Sequence, residues 1–201
     1  YALRFRAVKI SRIILTAGIA GTAAVAAVLF WPSSASIPKP KGYPRIAVPS
    51  ENKPQRLTGL DFELDHHPSA RWESKNQDGW GDLVYPFCQG RVQFTYLPVR
   101  GNLSALVDDA QDLAMKHSVA ADGMNQMVYV NDSLRVYGVL FRISGNAASS
   151  MQFYATDSVR NFVRGAVYVY AHPNADSLAP VNQFFEAEFT RYLETLEWRE
   201  G

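Results

Sequence analysis

The chain has 201 residues and a formal net charge of +1 at pH 7, from 20 basic and 19 acidic side chains. Four of the basic groups lie in the first 31 residues, which leaves 16 basic against 19 acidic groups, a net charge of −3, in the remainder. A chain without a basic stripe is a poor partner for nucleic acid, because it cannot replace phosphate counterions. The single cysteine, Cys88, excludes an intrachain disulfide and a cysteine-based zinc site.

A long apolar stretch near the N-terminus follows a purely basic flank. Residues 13–31 (IILTAGIAGTAAVAAVLFW) contain no charged side chain, and the basic residues before them are Arg4, Arg6, Lys9 and Arg12. A helix of this length at about 1.5 Å per residue spans roughly 28 Å, close to the hydrocarbon thickness of a bilayer. The stretch predicts a transmembrane anchor in the lipid bilayer from Ile13 to Trp31, with Trp31 at the membrane interface.

The basic flank also predicts the orientation of this anchor. Positively charged flanks stay in the cytoplasm, so we expect a single-pass protein of the cell inner membrane whose domain faces the periplasm. A cleaved signal peptide is the alternative, since residues 33–35 (SSA) resemble a processing site. The apolar stretch is longer than the ~7–15-residue apolar core of a signal peptide, which favours the retained anchor. No cysteine lies directly after the stretch, so lipidation there is not supported.

Residues 32–57 are rich in proline and predict a periplasmic linker between the anchor (1–31) and a folded domain (58–201). Proline fixes φ and removes a hydrogen-bond donor, so such a segment favours an extended, semi-rigid path. The prolines are Pro32, Pro38, Pro40, Pro44, Pro49 and Pro54.

The domain begins with alternating apolar and acidic side chains at 60–65, the pattern of a half-buried strand. Residues 83–87 and 91–99 predict two more strands. Asn102 suits the N-cap of a helix over 103–117, whose apolar side chains recur at helical spacing.

Four further strands and a second helix follow. The strands are predicted at 127–130, 134–143, 150–156 and 163–170, and the helix at 179–196. An apolar stripe with i, i+3, i+4, i+7 spacing marks this helix. Its members are Val181, Phe184, Phe185, Phe189, Tyr192, Leu193 and Leu196.

This order of elements predicts an α+β domain behind the single transmembrane helix. The connections are short, and short connections require antiparallel pairing, so we expect an antiparallel sheet with two packing helices. The order resembles the Mog1/PsbP-like sandwich, a likeness of fold that implies no function by itself.

A set of short segments after the apolar stretch forms a recognisable pattern. The first is residues 38–46 (PKPKGYPRI), and the others are 102–103, 114–117, 136–138, 144–150 (SGNAASS), 152–153, 156–158, 164–166 and 176–181. In this order and spacing they resemble the GldD family, gliding motility proteins of Bacteroidetes, over about residues 38–198.

This resemblance implies a cell-envelope protein needed for gliding motility and for protein export by the type IX secretion system. Members of the family are usually lipoproteins, and this sequence departs from them in having a predicted apolar anchor with no cysteine directly after it. The family is often encoded beside GldE, which resembles CorC-type transporters. An integral membrane partner of the GldE/CorC-like kind, or a secretion-system component, is therefore expected.

The sequence gives little indication of a catalytic site. Asp61, Glu63, Asp65, His66 and His67 are the densest set of potential metal ligands, but a solvated strand face explains them better, because no established ligand spacing is present. No nucleophile elbow occurs around the serines, and a buried or idle thiol is the simpler interpretation of Cys88. We expect no metal, no cofactor and no enzymatic activity.

The turn at 144–150 is the candidate partner-binding site. It is small and polar between two predicted strands, and Gly145 and Asn146 suit positive φ. The candidate residues are Ser144, Gly145, Asn146, Ser149, Ser150 and Phe153. The simpler interpretation is hairpin closure by the turn, with most nearby aromatic side chains in the core. The function predicted is a rigid scaffold for a membrane complex; the alternative is a periplasmic ligand- or lipid-binding accessory subunit of a GldE-type transporter.

Overall fold

A computed structural model describes residues 47–50, 53–76, 79–118, 121–171 and 175–199, all within the unit Tyr43–Gly201. Two antiparallel sheets and two long helices make up this part of the chain. The strands are β1 (Gln55–Leu57), β2 (Phe62–His66), β3 (Arg71–Ser74), β4 (Trp80–Tyr85), β5 (Gly90–Pro98), β6 (Gly123–Asn131), β7 (Val136–Ser144), β8 (Met151–Thr156), β9 (Asn161–Val169) and β10 (Glu197–Trp198). The helices are α1 (Leu103–Ser118) and α2 (Ala175–Thr195), and a short 3-10 turn covers Pro86–Cys88.

The larger sheet has seven strands in the order β3-β4-β5-β9-β8-β7-β6, and the smaller one has the order β1-β2-β10. Every strand pair is antiparallel. The predicted α+β class with an antiparallel sheet and two helices is therefore confirmed. The likeness to the Mog1/PsbP-like sandwich stays a prediction.

The two helices cover opposite faces of the large sheet. Phe153 and Tyr154 are neighbours in β8, so their side chains point to opposite faces. Phe153 belongs to the cluster that contains the apolar stripe of α2, whereas Tyr154 belongs to the cluster that contains Ala110 and Ala114 of α1. The small sheet joins the α2 side through Phe62 and Leu64, which are fully buried.

Helix α2 begins at Ala175, earlier than the predicted residue 179, and Pro180 lies inside it. Asp176 therefore lies in the first turn of the helix and is not its cap. A carboxylate in the first turn interacts favourably with the free N–H groups of the helix N-terminus. The apolar stripe of α2 is confirmed, since Val181, Phe185 and Phe189 are fully buried.

Three short strands lacked a periodic signal in the sequence. Strand β1 lies at the end of the predicted linker, yet it pairs with β2, and Leu57 is buried. Strands β3 and β10 have four and two residues. Strand β6 begins at Gly123, four residues before the predicted start, because its polar first half carries no alternating apolar pattern.

Candidate functional site

Strand β6 is the outermost strand of the large sheet, and among the described strands it pairs with β7 alone. It is nine residues long, and its sequence, GMNQMVYVN, contains no charged residue. An edge strand presents a row of backbone N–H and C=O groups to which another chain can pair. The length and the lack of charge make β6 a surface suited to the addition of a strand.

The side chains of β6 divide between the fold and the solvent. Tyr129 packs against the cluster on the α2 side, and Met124 packs against the cluster on the α1 side. Val128 and Val130 are 72% and 61% exposed and point to the same face, because they are two residues apart on a strand. Two exposed β-branched side chains at an edge strand are an apolar contact for an incoming strand.

The opposite edge of the sheet, strand β3, is protected against pairing with another chain. Strand β3 has only four residues, and Arg71 and Glu73 form an exposed ion pair of 2.9 Å on it. The ring of Trp72 covers Gly81 of the neighbouring strand so closely that a Cβ atom there would collide with it. Short length and charged side chains are common defences of edge strands, and β6 has neither.

The predicted partner-binding turn connects β7 to β8 and lies beside the start of β6. Ser144 is paired with Gly123, and its carbonyl oxygen accepts a hydrogen bond of 2.9 Å from the N–H of Asp122. Gly145 has φ +91°, and a Cβ atom there would lie 2.7 Å from the Asp122 carboxylate, so glycine is required. Ser144 and Asn146 are exposed. The turn and the edge strand form one continuous surface.

Two members of the predicted set lie inside the protein. Ser149 is buried, and its hydroxyl donates a hydrogen bond of 3.2 Å to the carbonyl oxygen of Met151. Phe153 is only 2% exposed, and its ring packs edge-on against Phe94 and Phe189. These two side chains have structural contacts and do not reach the surface, whereas Ser150 is half-buried.

The nearby aromatic side chains are mostly core, as the simpler interpretation predicted. Tyr154 and Phe162 are buried and their rings are stacked with centroids 5.6 Å apart. Tyr170 differs, because it lies directly after β9 and is 88% exposed.

A buried polar cluster, which the sequence did not reveal, lies between α2 and the strands. Glu188 is 1% exposed, and it accepts hydrogen bonds from the backbone N–H of His67 at 2.9 Å and from the Tyr85 hydroxyl at 2.7 Å. It also pairs with Arg191, and the Tyr85 and Tyr192 hydroxyls are hydrogen-bonded to each other.

This environment changes the acidity of both phenols. Burial raises the pKa of Tyr85 well above its ordinary value, and the Tyr192 phenol and Glu188 beside it add to the effect. Burial also raises the pKa of Tyr192, and the nearby Glu188 adds to it. Both phenols therefore keep their protons to a higher pH than an exposed tyrosine does.

A cavity of about 270 Å³ lies next to this cluster. Its lining is mainly apolar and includes Val48, Pro49 and Phe184, together with the polar Glu188 and Arg191. His67 also lines it, and its buried Nε2 atom has no hydrogen-bond partner among the described residues. The arrangement suits a small, mainly apolar molecule.

The comparisons with known proteins identify the family. The family model described as "Gliding motility lipoprotein GldD" matches residues 33–198. The chain belongs to the GldD family. No curated protein matches the chain. The match covers every described strand and helix, so it applies to the whole of the fold, and it associates the chain with gliding motility.

Membership in the GldD family associates the chain with a membrane. The family is one of lipoproteins, which are membrane-associated, and its match begins after the apolar stretch 13–31. The predicted anchor, from Ile13 to Trp31, lies outside the described residues. Within the described ranges, no helix is both long enough and apolar enough to cross a bilayer.

The predicted acidic strand face is balanced by one arginine. Arg56 of β1 lies 3.6 Å from Glu63 and 3.2 Å from Asp65 of β2, and 2.8 Å from Glu197 of β10. Among the residues that the structure describes, no group of three or more histidine, cysteine and acidic side chains is placed to hold a metal ion. The acidic residues of β2 therefore join the strands of the small sheet through Arg56.

Proposed function

We propose that this GldD-family chain is a non-enzymatic envelope protein that supports gliding motility and type IX protein secretion as a membrane-anchored periplasmic subunit. Family membership supports the link to gliding motility. The apolar stretch 13–31 with its basic flank supports the anchor in the inner membrane. The observation that carries the scaffold role is the long, charge-free edge strand β6.

The mode of binding proposed is the addition of a strand. An extended segment of the partner pairs with the outward N–H and C=O groups of β6, and its apolar side chains contact Val128 and Val130. Ser144 and Asn146 contact the same segment at its end, because their turn adjoins Gly123. The partner is an integral membrane protein of the GldE/CorC-like kind or a secretion-system component.

The test is a gentle affinity purification of the full-length protein from membranes, followed by mass spectrometry. The informative variant is Val128→Lys, which places a charge where the partner strand would pack. Val159→Lys is the matched control, since Val159 is 57% exposed and lies in the β8–β9 turn. We expect a stoichiometric membrane partner with the original chain and with the control, and loss of that partner with Val128→Lys.

The same variants are then tested in a gliding bacterium whose own copy of the gene is deleted. We expect Val159→Lys to restore colony spreading and type IX cargo secretion, and Val128→Lys to restore neither, at equal protein levels. A Val128→Lys chain that keeps the partner and restores both would refute docking at β6.

The cavity beside Glu188 favours a second candidate, a ligand- or lipid-binding accessory subunit of a transporter. Its apolar lining and the unpartnered Nε2 of His67 are the supporting observations. Ala187→Trp fills this cavity from the exposed side of α2. Loss of gliding with Ala187→Trp, while the partner remains bound, would favour this role over the scaffold.

A further inference from the structure

Three exposed arginines from distant parts of the chain line one groove at an end of the large sheet. Arg135 lies in the β6–β7 turn, Arg160 in the β8–β9 turn, and Arg199 directly after β10. All three side chains are exposed, and the groove between them has a volume of about 380 Å³. We call it the arginine groove.

Hydrogen bonds fix the backbone at each of these arginines. The indole Nε1–H of Trp198 donates to the carbonyl oxygen of Arg135 at 2.9 Å, which joins the β6–β7 turn to β10. The N–H of Arg199 donates to the carbonyl oxygen of Asp61 at 3.0 Å, and the N–H of Arg160 donates to Asp157 at 2.8 Å. The three side chains therefore start from fixed points around the groove.

The carboxylates that line the groove are already engaged. Oδ1 of Asp157 accepts three backbone N–H groups, and its Oδ2 accepts the side-chain amide of Asn161 at 2.7 Å. Glu197 pairs with Arg56 at 2.8 Å, on the small sheet.

The three arginines differ from most of the other described arginines in their charge partners. Among the described residues, none of the three guanidinium groups forms an ion pair, although Arg56, Arg71, Arg91, Arg142, Arg164 and Arg191 all do. The groove thus holds three guanidinium groups against two carboxylates, a local excess of positive charge on a domain that is acidic overall.

We propose that the arginine groove binds the phosphate group of a phosphomonoester ligand. A single carboxylate is saturated by one guanidinium fork, whereas a phosphomonoester offers three terminal oxygens and up to two negative charges. Three forks held at separate points around one groove match such a group. The indole of Trp198 adds an apolar wall for the rest of the ligand. The arginine groove is a different site from the proposed docking surface on β6, and ligand binding in the groove does not require a partner at β6.

A phosphomonoester group can come from two sources, a lipid headgroup or a soluble phosphate ester. Phosphatidic acid and glycerol 3-phosphate carry the same headgroup with and without acyl chains. Thermal unfolding of the full-length protein in a neutral maltoside detergent compares them. Phosphatidylcholine in the same micelles and glycerol are the controls without a phosphomonoester.

We expect phosphatidic acid, glycerol 3-phosphate or both to raise the melting temperature saturably, with no effect of the controls. A shift with the lipid alone assigns the groove to a membrane headgroup, and a shift with both assigns it to the phosphomonoester wherever it comes from. Increasing NaCl is expected to weaken either shift, because the arginines are exposed.

The variants Arg135→Gln, Arg160→Gln and Arg199→Gln are each expected to weaken the apparent affinity about tenfold. Arg71→Gln is the matched control, since Arg71 is an exposed arginine on β3 at the far edge of the sheet. No shift with either phosphomonoester, or an undiminished shift in the triple variant, would overturn the proposal.

Discussion

The hydroxyl group of Tyr85 lies 2.7 Å from a carboxylate oxygen of Glu188 and donates a hydrogen bond to it inside the core. The two residues are far apart in the chain, on β4 and α2, so this bond joins the helix to the large sheet. The same carboxylate oxygen accepts the N–H of His67 at 2.9 Å, just after β2. One acidic side chain therefore connects the helix to both sheets.

Removal of the Glu188 side chain is expected to destabilise the fold strongly. Glu188→Ala leaves the buried His67 N–H without its acceptor and removes the carboxylate to which the Tyr85 hydroxyl donates, which costs about 3 kcal/mol of unfolding free energy. Urea denaturation measures this loss. Glu186→Ala is the control on the same helix; its side chain is 46% exposed and pairs with Arg142, so we expect a loss below about 1 kcal/mol. Equal losses for the two variants would contradict a stabilising role of the buried cluster.

The buried phenols predict a loss of stability at alkaline pH. The folded-state pKa of Tyr85 and of Tyr192 lies above the ordinary tyrosine value, mainly because of burial. Their contribution is therefore complete below about pH 10, the unfolded value, and is lost as the pH rises through the folded values. Tyr85→Phe is expected to be less stable at neutral pH but to show a shallower alkaline decline. Tyr170→Phe, at an exposed position, should follow the original curve in denaturation measured between pH 8 and pH 11.

Cys88 is expected to be a slowly reacting thiol in the folded protein. It is 5% exposed, and burial raises its pKa to about 11, so little thiolate forms near neutral pH. Alkylation with iodoacetamide at pH 8 should be at least about tenfold slower in buffer than in urea, and mass spectrometry follows it. Equal rates under both conditions would show that the 3-10 turn around Cys88 opens readily.

The elements with strong periodicity could be predicted from the sequence, and the short ones could not. The apolar stripe of α2 repeats over several helical turns, and the alternation at the start of β2 repeats over several residues. Patterns of this length can be recognised in the sequence. Strand β10 has two residues and β1 has three, and both are strands because β2 lies between them. Their structure depends on tertiary pairing, for which the sequence has no local signal.

Some parts of the candidate sites were likewise predictable from local sequence patterns, and others were not. The turn at 144–150 was recognisable from its glycine and small polar residues. The edge position of β6 was not, because the order of strands follows from long-range pairing. The three members of the arginine groove are isolated in sequence, and the tertiary fold brings together the two turns and the end of β10 that carry them.

The buried position of Phe153 predicts different outcomes for two members of the predicted binding site. Phe153→Ala removes a ring that packs against Phe94, Phe189 and the surface of Gly165, and it is expected to cost about 3–5 kcal/mol. Asn146→Arg changes an exposed residue of the turn and is expected to change the unfolding free energy by less than about 0.5 kcal/mol. Urea denaturation of both variants, with partner retention measured for Asn146→Arg, distinguishes the two roles. A Phe153→Ala protein as stable as the original would contradict the packing of this ring in the core. A stable Asn146→Arg protein that still binds its partner would show that the turn is not part of the docking surface, which would then consist of β6 only.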